Sequence, residues 1–109
     1  MKFPRSLFLV TVALAGAVFA QQSPSEVTDA EIARYKVTAQ TGCREPGLAR
    51  GDPQDRIDAF CNCILTTLEK NLKRTEWQQL YFYSHTKQDV EERVVLEPHI
   101  KGLAVCRGK

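Results

Sequence analysis

Apolar positions recur at helical spacing through most of the chain, and the best-marked repeat lies in the middle. With Cys61 as the zero of a helical wheel, five apolar residues fall within about 60° of it. They are Ile57, Ile64, Leu65, Leu68 and Leu72. Asp52 suits the N-cap position and Pro53 the first helical position. The pattern predicts a helix from about Pro53 to Lys73.

A capping box predicts the start of an earlier helix, because Thr28 is followed three residues later by Glu31. This helix is expected from about Asp29 to Thr41, with Gly42 as its stop. Its apolar stripe consists of Ile32, Tyr35, Ala39 and Cys43. Residues 44–53 contain two glycines and two prolines, so we predict a loop between the two helices.

Two further helices are predicted in the second half of the chain. Thr75, with Gln78 three residues on, forms a second capping box before the stretch EWQQLYFYSH. A fourth helical pattern runs from about 87 to 106, and Pro98 predicts a kink or a break near Glu97. No stretch alternates as a strand would. The sequence therefore predicts an all-α fold, a small bundle of three to four helices.

The N-terminus has the pattern of a secretory signal peptide. Lys2 and Arg5 precede a mostly apolar run over 7–19, and Val18 and Ala20 are small residues suited to cleavage after residue 20. The apolar run is shorter than the ~20 residues of a membrane span. We predict a signal peptide over 1–20, a flexible lead-in over 21–27 and a single helical domain over 28–109, with no stable membrane anchor after cleavage.

Charge argues against a nucleic-acid partner. Cleavage would remove Lys2 and Arg5, and the formal net charge of +2 would fall to zero. The remaining basic residues are interspersed with acids, whereas binding of phosphates needs a basic surplus or stripe. We expect no nucleic-acid binding.

All four cysteines lie after the predicted cleavage site: Cys43, Cys61, Cys63 and Cys106. An even number in a small exported domain favours two disulfides. Cys61 and Cys63 diverge on their helix, so a bridge between them is disfavoured. Because Cys61 and Cys106 both lie on apolar faces, we predict Cys61–Cys106 and Cys43–Cys63. The exchanged pairing, Cys43 with Cys61 and Cys63 with Cys106, is the alternative.

A metal or redox role is the functional alternative for the cysteines. A Cys-x-Cys pair can bind Cu(I) or Zn(II), and His85 and His99 would extend the ligand set. Ligands two residues apart on a continuous helix diverge, and reactive pairs usually lie in loops or at helix N-termini. We therefore predict structural disulfides, with no metal and no cofactor.

Other candidate sites are sparse. Ser84 and His85 point to different faces of their helix, and Glu91 and Glu92 diverge in the same way, so we assign no catalytic residues. The third helix, in contrast, carries more aromatic surface than one stripe would bury. Trp77, Tyr81 and Tyr83 are candidates for a partner-binding patch, since Trp and Tyr are enriched at interfaces; packing in the core is the alternative for them.

These observations predict a non-enzymatic, exported bacterial protein of the periplasm that acts through protein–protein contact. Its partner would be another periplasmic or secreted protein. An inhibitor, an immunity protein and an envelope-stress or assembly factor all fit this description. A periplasmic metal-binding or thiol-redox protein that uses the Cys-x-Cys pair is the alternative.

Overall fold

The computed structural model describes residues 23–108, and every regular element in this part of the chain is helical. The four α-helices are α1 (Asp29–Arg50), α2 (Gln54–Asn71), α3 (Arg74–His85) and α4 (Asp89–Leu96). Short 3₁₀ helices span Pro24–Glu26, Glu97–His99 and Lys101–Cys106. The predicted all-α, disulfide-stapled bundle is confirmed. The predicted signal peptide lies outside the described residues.

None of the helices within residues 23–108 is long and apolar enough to cross a membrane.

Helix α1 begins as predicted but ends later. The Thr28 hydroxyl accepts from the N–H of Glu31 at 3.2 Å, and the Thr28 N–H donates to the Glu31 carboxylate at 2.9 Å. The predicted stop at Gly42 is wrong, and the loop predicted over 44–53 is confined to residues 51–53. The helix runs on through Pro46 to Arg50 and is followed by Gly51, whose φ of 79° is left-handed, as is common for glycine after a helix.

Tertiary contacts explain why α1 continues past its local stop signals. Gly42 and Pro46 weaken a helix by backbone entropy and by a missing N–H. Here the second half of α1 packs along α2, so that Gly47 is buried against the side chain of Ile57. Packing of this kind routinely overrides local propensity.

The predicted N-caps of the next two helices are also wrong. Pro53, and not Asp52, is the N-cap of α2, and the Asp52 carboxylate instead accepts two hydrogen bonds from the Arg50 guanidinium, at 2.8 and 3.1 Å. Helix α3 starts one residue before Thr75, and its first turn is closed by the Glu76 carboxylate, which accepts from the N–H of Lys73 at 2.8 Å. The predicted break near Glu97 is confirmed, since α4 ends at Leu96.

Gln78 has a different role from the one its capping-box position predicts. Its side chain is buried at 6% exposure, and its amide donates to the carbonyls of Ser25 and Val27 at 3.3 and 3.0 Å. Val27 itself is 2% exposed. Residues 24–27 are thus packed on α3, which corrects the expectation of a flexible lead-in over this part of the chain.

The main core lies where α1 begins, α2 ends and α3 crosses both. Its buried members are Val27, Ile32, Leu72, Trp77 and Leu80. Tyr35, at its edge, meets the Trp77 ring edge-on and donates its hydroxyl to Glu92 of α4 at 2.6 Å. Burial and the Glu92 carboxylate both raise the pKa of Tyr35. That hydrogen bond connects α4 to α1.

Two disulfides attach elements to opposite faces of α2. Cys43 of α1 bonds to Cys61 with a Cα–Cα distance of 5.9 Å, and Cys63 bonds to Cys106 with 5.6 Å. The divergence of Cys61 and Cys63 is confirmed, but the predicted pairing of Cys43 with Cys63 and of Cys61 with Cys106 is wrong. Bridges of this kind are typical of an oxidising compartment.

The length of α1 is the physical reason for the observed pairing. A loop after Gly42 would have let Cys43 reach the face of α2 that carries Cys63. Instead α1 and α2 form an antiparallel hairpin, in which Cys43 and Cys61 are 18 residues apart and equidistant from Asp52 in the turn. Residues equidistant from a tight turn face each other across the hairpin. The face of α2 that carries Cys63 is then left for Cys106.

Candidate functional site

The distal half of the α1–α2 hairpin extends beyond the main core. The core cluster includes no described residue of α1 after Tyr35 and none of α2 before Leu65. We call residues 43–61 the hairpin arm. The Cys43–Cys61 bridge closes the arm at its base, and the contact of Gly47 with Ile57 lies within it. A two-helix arm offers its outer faces to solvent or to another molecule.

One seam between the two helices is sealed by polar contacts. The Gln40 amide donates to the Asn62 side chain at 2.9 Å. Arg44 forms an ion pair with Asp58. These pairs connect α1 to α2 along one edge, from the base of the arm toward its turn.

The opposite seam holds an apolar groove of about 410 Å³. On a helical wheel, Pro46 and Phe60 lie on this side of their helices, away from Arg44 and Asp58. The groove is lined by Cys43, Pro46, Gly47, Arg50, Asp52, Arg56, Ile57, Phe60 and Cys61. The disulfide and the buried Ile57 side chain form its floor. The lack of a side chain at Gly47 lets the two helices approach closely at this point.

Two large apolar side chains of the arm are incompletely covered. Phe60 is 38% exposed on the wall of the groove, and Leu48 is 51% exposed on the other side of α1, four residues after Arg44. Single exposed apolar residues are ordinary on protein surfaces, but an apolar groove with an exposed aromatic wall is typical of a binding surface.

The rim of the groove carries two positively charged side chains and one negatively charged side chain. Arg50 and Asp52 neutralise each other through two hydrogen bonds. Arg56, the third ionisable residue in the lining, forms no ion pair with a carboxylate among residues 23–108. The rim therefore offers one guanidinium beside an apolar floor. This arrangement can bind and orient a ligand.

The predicted aromatic candidates lie elsewhere, and they do not form one surface. Trp77 is 5% exposed, with the Lys36 ammonium 4.6 Å from its ring centre. Tyr81 is half-buried and stacks on His85 with ring centres 5.5 Å apart. Tyr83 is half-buried and meets Phe82 edge-on. Partner binding by these residues stays a prediction, with exposed ring surface only on the two tyrosines.

The Cys-x-Cys pair does not form a joint site in this fold. The sulfur atoms of Cys61 and Cys63 belong to separate bridges on opposite faces of α2. To ligate one ion, both bridges would have to be reduced and the helix would have to break between them. In the described part of the chain, no group of three or more His, Cys, Asp or Glu side chains is arranged to hold a metal ion.

His99 connects the C-terminal segment to the start of α3. Its Nε2 atom lies 3.2 Å from the Glu76 carboxylate. The pKa of Glu76 is lowered, first by its hydrogen bond from the Lys73 backbone and then by its contact with His99. This contact joins the segment that follows Pro98 to α3, and His99 itself is half-buried.

Comparison with known proteins identifies no relative of this chain. No protein-family model, no curated protein and no solved structure matches the chain.

Proposed function

We propose that this protein is exported to the bacterial periplasm and works there, without catalysis, by binding another protein through the groove of its hairpin arm. Export is supported by the signal-like N-terminus and fits the two disulfides, because such bridges form and persist in oxidising compartments. The partner is another periplasmic or secreted protein.

The observation that carries this proposal is the uncovered apolar seam of the arm. The chain extends α1 past a glycine and a proline and staples it to α2. It thereby holds a rigid groove with an exposed Phe60 wall away from the main core. Rigid aromatic side chains on a preorganised surface bind partners with little loss of conformational entropy.

Site-specific photocrosslinking tests the proposal. Phe60 is replaced by benzoylphenylalanine, and the matched control carries the same group at Val94, which is 61% exposed on α4. In periplasm of the source organism we expect one discrete protein adduct from position 60 and none from position 94. Equal adducts at both positions, or none, would contradict the proposal.

The captured protein must then bind as a purified component. We expect a one-to-one complex by titration calorimetry, weakened at least about tenfold by Phe60→Ala, as for an interface hot spot. Val94→Ala should leave the affinity unchanged. Both variants should keep the melting temperature within a few degrees, so that lost affinity is not lost folding.

A further inference from the structure

We infer that the groove binds the C-terminal residue of the partner chain, with an apolar side chain on the groove floor and the terminal carboxylate on Arg56. The inference rests on the proposed function and specifies the chemistry of its partner. It is drawn from the shape of the groove, from its charge and from the spacing between its apolar and cationic parts.

The groove has room for a large side chain together with the main-chain atoms that carry it. Its volume of about 410 Å³ lies near the lower end of the range for ligand pockets. Ile57 and the Cys43–Cys61 bridge form the floor, and Pro46 and Phe60 form the two walls. These groups offer an entering side chain apolar contact and few hydrogen bonds. A leucine or phenylalanine side chain matches this surface.

The cationic part selects a carboxylate. Asp52 would repel an anion, but Arg50 already neutralises it through two hydrogen bonds. Arg56 has no such partner among residues 23–108. A guanidinium beside an apolar surface pairs well with a carboxylate, because it is weakly hydrated and can donate two parallel hydrogen bonds.

The spacing favours a chain terminus over an internal acidic residue. Arg56 and Phe60 are four residues apart on α2, so they are neighbours separated by about one turn, roughly 5.4 Å. A C-terminal residue carries its side chain and its carboxylate on the same Cα atom. One residue therefore spans the distance without ordering any neighbour, which limits the entropic cost of binding.

N-acetyl-phenylalanine and its carboxamide test this inference as probes. Both are titrated into ¹⁵N-labelled, disulfide-intact protein, and amide shifts are followed in the arm. We expect the carboxylate to bind at millimolar concentration and shift residues 56, 57 and 60. The carboxamide should bind about two- to fivefold more weakly, as expected for loss of one exposed ion pair. Arg56→Gln should abolish this preference, whereas Arg93→Gln, an exposed arginine on α4, should preserve it.

Three results with the probes and in sedimentation would overturn the inference. They are equal binding of the two probes, shifts that lie outside the arm, and a concentration-dependent dimer in sedimentation that is abolished by Phe60→Ala, since a second copy would then be the occupant. Neither of the first two affects the proposed function, which fails if position 60 captures no protein or if positions 60 and 94 give equal adducts. A captured partner that binds equally well after its C-terminus is amidated leaves the function standing and refutes the terminal-carboxylate contact.

Discussion

Gly47 of α1 lies directly against Ile57 of α2. A Cβ atom built on Gly47 would stand 2.8 Å from Cγ1 of Ile57, closer than real Cβ contacts allow. Ile57 is 5% exposed and forms the groove floor. The close approach of the two helices in the arm therefore depends on the absence of a side chain at this one position.

Gly47→Ala should lower the free energy of unfolding by about 1–3 kcal/mol, since an added methyl in a packed contact forces side chains or backbone to move. Urea unfolding followed by circular dichroism measures the change. The same substitution should also displace the arm, visible as amide shifts at residues 43–61.

Gly42→Ala is the matched control in the same helix. An added Cβ there would meet nothing within 4 Å, and alanine is favoured over glycine in a helix by roughly 0.5–1 kcal/mol. We expect unchanged or slightly increased stability. Equal destabilisation by the two substitutions would show that the contact with Ile57 does not decide the outcome.

The two disulfides should differ in what they stabilise. In the chain-entropy model, loss of the 18-residue Cys43–Cys61 link costs about 3 kcal/mol, and loss of the 43-residue Cys63–Cys106 link costs about 4 kcal/mol. Paired Cys→Ser variants separate the effects. Hydrogen exchange should increase in the arm for the first variant and in residues 97–106 for the second.

Peptide mapping without reduction checks the pairing itself. The two bridges can be told apart only if the chain is cleaved between Cys61 and Cys63, that is, at one of the two peptide bonds of Asn62. Fragments that join Cys43 to Cys63 would contradict the structure, as would four alkylatable thiols in protein isolated from the native compartment.

The helical pattern was sufficient to predict the fold class and the divergence of Cys61 and Cys63. Both follow from helical periodicity within one element, which the local sequence determines. The partners of these cysteines do not follow in this way. They depend on where α1 ends, and at Gly42 and Pro46 the local signals favour a stop that packing against α2 overrides.

The groove, like the cysteine pairing, depends on where α1 ends. Phe60 and Arg56 lie on the flank of the apolar stripe of α2, where the sequence pattern alone predicts solvent exposure. They become a site only because α1 runs alongside them and because Arg44 and Asp58 seal the opposite seam. The signal that could have indicated this is the equal spacing of Cys43 and Cys61 about the turn at 51–53.

Stability should fall in acid through Glu76. The hydrogen bond from the Lys73 backbone, together with His99, lowers the pKa of this carboxyl below its ordinary value of 4.5. A lowered folded-state pKa contributes stability that is present above pH 4.5 and is lost as the pH falls through the folded value. Glu76→Gln should remove this part of the pH dependence, measured by urea unfolding between pH 3 and 7.

Glu91→Gln is the control for the acid effect, because Glu91 is an exposed residue in the first turn of α4. Its substitution should leave the acid slope close to that of the parent protein. If the unfolding free energy of Glu76→Gln falls with decreasing pH as steeply as that of the parent protein, other carboxylates cause the acid sensitivity.

The aromatic run of α3 divides into one core residue, Trp77, and three half-buried ones, and substitution should separate the two kinds. Trp77→Ala should cost about 3–5 kcal/mol of stability, because the indole is 5% exposed and packs on Tyr35. Tyr83→Ala should cost less, since its ring keeps solvent contact. If the arm is the binding surface, Tyr83→Ala keeps the affinity for the captured partner while Phe60→Ala loses it, with both proteins folded by circular dichroism. The reverse result would move the binding surface from the groove to α3.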